Sequence, residues 1–119
     1  NPILIDNVNN IFLYSSTLRY ELIFNLNVME QIQKEYGSIE TWGAKTDGAG
    51  EPDAEAVKFG FWCMMNEGID IMNEENGTDI PMLTLKQVGR IITEIGLKDA
   101  TDTLNTTVIE STESVEKNV

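Results

Sequence analysis

Residues 53–77 read DAEAVKFGFWCMMNEGIDIMNEENG. Asp53 is a capping residue, Glu55 is favourable in a first helical turn, and Gly77 suits a helix stop. The spacing predicts one long helix running to about Glu75–Asn76. At about 100° per residue, Val57, Phe61, Met64, Met65, Gly68, Ile69 and Met72 gather on one broad face, with Trp62 at its edge. Phe59 and Cys63 fall on the other side, beside Asn66 and Asp70. A helix apolar on more than one face sits centrally in a core, with strands on one side and helices on the others. The rival expectation is an exposed, adaptable patch built from Phe59 and the Met residues, since Met suits plastic binding surfaces.

Upstream, residues 19–26 (RYELIFNL) alternate. Tyr20, Leu22, Phe24 and Leu26 point one way, and Arg19, Glu21, Ile23 and Asn25 the other, as in a half-buried strand. Ile11–Tyr14 reads as a second strand, with SSTL as the turn of a hairpin, and Ile3–Ile5 as a third. Asn27, with Glu30 three residues on, predicts a capped helix. Val28, Ile32 and Tyr36 share one face of it, and Gly37 ends it. Ser38 caps a short turn, IETW. Gly43–Pro52 (GAKTDGAGEP) has little to bury and reads as a flexible loop at about 43–52.

Downstream, Thr84 and Gln87 form a capping box that opens another helix. Its expected buried stripe is Leu85, Val88, Ile92 and Ile95, and Gly96 closes it. A last, weaker helix is expected over Lys98–Ile109, with 110–119 a frayed polar tail. The fold class expected is α+β, mainly helical. A β-hairpin or small antiparallel meander precedes a bundle of about four helical segments, in a single domain over 1–109.

The 119 residues and 41% hydrophobic content suit one modest core. No apolar run approaches the length of a membrane span, and NPILIDNVNN lacks the regions of a signal peptide. Twenty acids against eight bases give a net charge of −12, and the bases are scattered. Nucleic acid and anionic membrane both demand a basic footprint, so neither is an expected partner. The acidity serves solubility or a basic protein partner. One cysteine excludes an internal disulfide and points to a reducing cytoplasm.

There is no histidine, which removes Ser-His and Cys-His nucleophile systems and the commonest zinc ligand. The helical neighbours of Cys63 include Glu67 and no base, a setting that raises a thiol pKa. MNEENGTDI invites a calcium-loop reading, yet with Gly77 at loop position six the first and last ligand positions fall on Met72 and Leu83. GAKTDGAGE lacks both the GK[ST] ending of a P-loop and the dinucleotide glycine spacing. No carboxylate pair stands out for glycoside chemistry. The expectation is therefore a non-enzyme without catalytic, cofactor or metal residues, a small acidic metal-binding module at 67–79 being the remote alternative. Glu74 and Glu75 oppose the helix dipole, which suits a partner contact. The partner-binding candidates are Phe59, Trp62, Cys63, Met64, Glu67, Asp70, Glu74 and Glu75.

RYELIFNLNVMEQIQKEYGSIETW resembles the opening of the small tail assembly chaperones of long-tailed phages, prophages and gene transfer agents. The resemblance rests on Tyr20, Leu22, Phe24, Leu26 and Asn27 of a strand pattern, then on QKEYGS (Gln33–Ser38). TLKQVGRIITEIG adds Thr84, Val88, Gly89, Ile91 and Ile92, so roughly residues 10–96 are covered. FGFWCMMNEG is richer in aromatics and Met than the family pattern. The resemblance implies a protein that binds the tape measure protein and keeps its long helical chain soluble during tail assembly. It implies a place in the bacterial host cytoplasm and not in the mature virion, with self-association as a second kind of contact. Another structural or connector protein of the tail module is the nearest alternative.

Overall fold

The computed structural model describes residues 3–5, 11–14, 19–47 and 50–117, with side-chain surroundings for 20–47 and 50–111. Among the described residues, three short strands, β1 (Ile3–Ile5), β2 (Ile11–Tyr14) and β3 (Arg19–Glu21), precede five helices. These are α1 (Leu26–Tyr36), α2 (Ile39–Thr46), α3 (Ala54–Asn76), α4 (Leu85–Ile95) and α5 (Leu97–Lys117). Helix dominates. The strands pair antiparallel in the order β1-β2-β3, with Leu13 opposite both Ile3 and Tyr20. The expected turn SSTL lies outside the described residues.

The centre of the molecule is α3. Asp53 caps it by accepting from the Ala56 N–H at 3.0 Å, and Gly77 ends it in the left-handed conformation at φ 64°. It packs against β3 and all four other helices. Val57, Phe61, Met64, Met65, Gly68 and Ile69 are buried as the periodicity predicts, and Met72 is half-buried. Among the described residues, all buried apolar side chains belong to one cluster.

Two glycines let α3 come close to its neighbours. A Cβ on Gly60 would lie 2.5 Å from the Trp42 ring and 3.3 Å from Leu104. A Cβ on Gly68 would lie 2.5 Å from the Glu21 carbonyl oxygen at the end of β3. The buried Trp42 indole donates to the Ala56 carbonyl at 2.9 Å and stacks on Phe24 with ring centroids 6.4 Å apart.

Several boundaries differ from the sequence expectation. The strand predicted over 19–26 stops at Glu21. Tyr20, Leu22 and Phe24 are still buried, but beyond β3 the chain runs against α3, where the Ile23 N–H donates to the Met64 carbonyl. Leu26, assigned to the inner face, is the first residue of α1 and 76% exposed. The cap of α1 is Asn25, not Asn27, and its side chain accepts from the Val28 N–H. Both asparagines also donate to the Glu67 carboxylate, at 2.6 and 2.9 Å. That contact spans some forty positions of sequence, beyond the reach of a local capping rule.

The segment read as a loop over 43–52 is helical through Thr46, while Gly48 and Ala49 lie outside the described residues. The turn after Ser38 therefore lengthens into α2, giving five helices among the described residues rather than about four. The last turn of α2 is tied to α5 by the Asn105 amide, which donates to the Thr46 carbonyl at 2.7 Å. α5 continues to Lys117, past the point at 110 where fraying was expected. Thr101, Thr103, Thr106 and Thr107 each return their hydroxyl to the carbonyl four residues earlier. This satisfies the hydroxyls of the buried Thr101, Thr103 and Thr107 while Ala100 and Leu104 fill the core.

Candidate functional site

The link from α3 to α4 builds the site. Asn73 holds the chain after Gly77 by accepting from the Ile80 N–H and donating to the Ile80 carbonyl. Asn66 pairs with both backbone groups of Leu83, accepting at 2.8 Å and donating at 3.0 Å. The Trp62 indole N–H donates to the same Leu83 carbonyl at 2.8 Å. The next residue, Thr84, opens α4 with the predicted capping box to Gln87. The start of α4 is thus fixed by two side chains of α3.

The buried stripe of α4 is Val88, Ile91 and Ile92; of the expected Leu85, Val88, Ile92 and Ile95, Ile95 is half-buried against the core and Leu85 turns away from it. Leu85 is 40% exposed. An open groove of about 650 Å³ lies between the first half of α3 and α4, with Leu97 also in its lining. Phe59, Trp62, Leu85, Gly89, Ile92 and Leu97 line it. Glu35 and Glu55 stand on its α1–α3 side, and Lys58 reaches across toward Gly89. A smaller recess of about 360 Å³ lies beyond Leu97, beside Pro52, Thr101 and the Lys98–Asp102 pair.

The second face of α3 is covered by α1. Phe59 meets Tyr36 edge-on, with ring centroids 5.7 Å apart, and tilts against Trp62 at 5.6 Å. Cys63 is buried. Of the partner-binding candidates, Phe59 and Trp62 are half-exposed and line the groove. Cys63 and Met64 are instead core residues, because the helix buries both of its apolar faces. Glu67 is held by the two asparagines, and Asp70, Glu74 and Glu75 are exposed. At about 1.5 Å per residue, Glu74 lies about 18 Å along α3 from Trp62, so the acids at its end do not share the groove. Sequence reasoning missed Glu35, Glu55, Lys58, Leu85 and Gly89. The available signal was Gly89, a glycine in the middle of an otherwise well-formed helix.

Electrostatics argue against thiol chemistry. Burial, and then the Glu35 carboxylate, push the Cys63 thiol up to about 12. The Tyr36 phenol is also raised, first by burial and then by Glu55, Asp53 and Glu35. Cys63 in the folded chain is expected to resist a disulfide reagent at about pH 8 and to react at once in denaturant. Its folded pKa lies above the unfolded value of 9.0, so the folded state keeps a proton that the unfolded state loses. The stabilisation is complete below about pH 9 and falls as pH rises toward 12. The urea midpoint of the wild type should therefore drop more steeply above about pH 9 than that of Cys63→Ala.

Among the described residues, no three Cys, Asp or Glu side chains come together as a group able to hold a metal ion, and no helix is long and apolar enough to cross a membrane. Comparison of the chain with family models, curated proteins and solved structures returned no match.

Proposed function

We propose that this chain is a non-enzymatic tail assembly chaperone of a phage or prophage. It binds the tape measure protein in the host cytoplasm, keeps it soluble during tail assembly, and is absent from the mature virion. The observation that carries the reading is the groove beside Phe59 and Trp62, an apolar trough with two carboxylates on one bank. Such a surface suits the apolar stripe and basic flank of an amphipathic helix. The chain's resemblance to the family over Tyr20–Ser38 and Thr84–Gly96 supports the same reading. The short antiparallel pairing of β1, β2 and β3 supports the hairpin or meander expected ahead of the helices.

Co-expression tests the function. A tape measure fragment that is insoluble alone should become soluble when this chain is made beside it, and the two should co-purify less well as salt is raised. A fragment that stays as insoluble as before removes the reading. Finding the chain in purified virions as a ring-forming oligomer would replace it with the connector reading.

A further inference from the structure

We propose that the groove between α3 and α4 seats an amphipathic helix of a second protein, its apolar stripe over Gly89 and a Lys- or Arg-bearing flank against Glu35 and Glu55. This deepens the chaperone reading, and rests on it only for the identity of the client.

Gly89 is the first ground. A glycine inside a helix is unfavourable relative to alanine, and Gly89 has none of the positive φ that marks Gly37, Gly77 and Gly96. Gly60 and Gly68 each admit another part of this chain. At Gly89 a Cβ would lie 3.3 Å from the Lys58 Cδ, a tight approach but one made by a flexible side chain rather than by backbone or a ring. Its missing side chain lowers the groove floor, as a close-packing helix requires.

Charge is the second ground. Among the described residues neither Glu35 nor Glu55 is in an ion pair, whereas Glu30, Asp53 and Asp102 are. The Tyr36 phenol is raised first by burial and then by the neighbouring Glu55, Asp53 and Glu35 carboxylates. Lys58, the one base lining the groove, is also outside those ion pairs, and its stem must swing aside on binding. Lys86 and Arg90 are exposed on α4 and are not part of the lining. By their positions on the helix they follow the outer side of α4. Among the lining residues the carboxylates stand only on the α1–α3 side, against the single base Lys58, while Leu85, Gly89, Ile92 and Thr93 of α4 are uncharged, which assigns the occupant's basic flank to the α1–α3 side. Half-buried Phe59 and Trp62 with exposed Leu85 supply the aromatic and aliphatic anchors of such a contact.

The test uses a labelled synthetic amphipathic helix with a Leu/Phe stripe, made with either Lys or Glu on one flank, and reads anisotropy with the intact protein. The Lys version should bind about tenfold or more tighter than the Glu version. Gly89→Leu, which fills the floor, should weaken it by about tenfold or more, and Glu35→Gln with Glu55→Gln should erase most of the flank preference. Leu85→Asp is a second groove variant whose new carboxylate favours the start of α4, so its folding is protected.

Equal binding of the two peptides, or wild-type affinity in both Gly89→Leu and Leu85→Asp, overturns the proposal. A wild-type dimer that Gly89→Leu turns into a monomer also overturns it, in favour of a second copy as occupant. The two readings fail separately. If Gly89→Leu still keeps the tape measure fragment soluble, the chaperone reading stands without the groove. If the Lys peptide binds but the fragment stays insoluble with wild type, the groove stands without the chaperone.

Discussion

Trp42→Ala is expected to destabilise the protein by about 3–5 kcal/mol, seen as a lower urea midpoint at unchanged slope. A small domain has about 5–15 kcal/mol in all, so the loss should be visible already as a lowered melting temperature. The size follows from position. The ring is fully buried, stacks on Phe24 and lies in contact range of α3 at Gly60, and its N–H is bonded to the Ala56 carbonyl. Truncation removes apolar contact from several elements at once, and the helices around it cannot all move in to close the space. The pairing with Gly60 sharpens the expectation. Gly60→Ala should destabilise the wild type, because its methyl would sit 2.5 Å from a rigid ring. In the Trp42→Ala background the same change should become neutral or stabilising, since the ring is gone, the flexible Leu104 side chain at 3.3 Å can give way, and the helix propensity of alanine favours it. Simple additivity across that cycle would mean that ring and glycine do not pack as described.

The second large effect is expected at Gly68→Leu, about 3 kcal/mol or more. Here the obstacle is the carbonyl oxygen of Glu21, a backbone atom that cannot rotate away. A side chain at 68 must push the end of β3 off α3 and stretch the Ile23–Met64 bond beside it. Thermal melting gives the magnitude. Hydrogen exchange should place the loss at residues 19–24 first, and a uniform loss across α4 and α5 would contradict it.

The ends of the helices were legible because local chemistry sets them. Asp53, Ser38 and Thr84 cap as their side chains allow, and Gly37, Gly77 and Gly96 terminate helices as expected. The helical face of α3 was legible too, because apolar periodicity reports burial directly. What failed depended on distant residues. Asn25 rather than Asn27 caps α1 in a structure where Glu67, far along the chain, receives both amides. Leu85 was assigned to the core, but the anchoring of Leu83 by Trp62 and Asn66 sets where α4 begins and leaves Leu85 in the groove. The partner surface was found only in part for the same reason. Phe59 and Trp62 stood out in the sequence. Glu55 shares their face of α3 at helical spacing, but Glu35 and Gly89 come from α1 and α4, and no spacing rule connects those two to Phe59 and Trp62.

The three hydrogen bonds at Leu83 have a mechanical consequence. Trp62 forms part of one wall of the groove and at the same time anchors the root of the other. The α4 wall cannot pivot outward without breaking the bond to that indole and the paired bonds to Asn66. The separation of the walls is thereby clamped at one end, and any give must come from the far end near Leu97. An occupant of the proposed kind would therefore meet a fixed width at the Trp62 end and an adjustable one at the other.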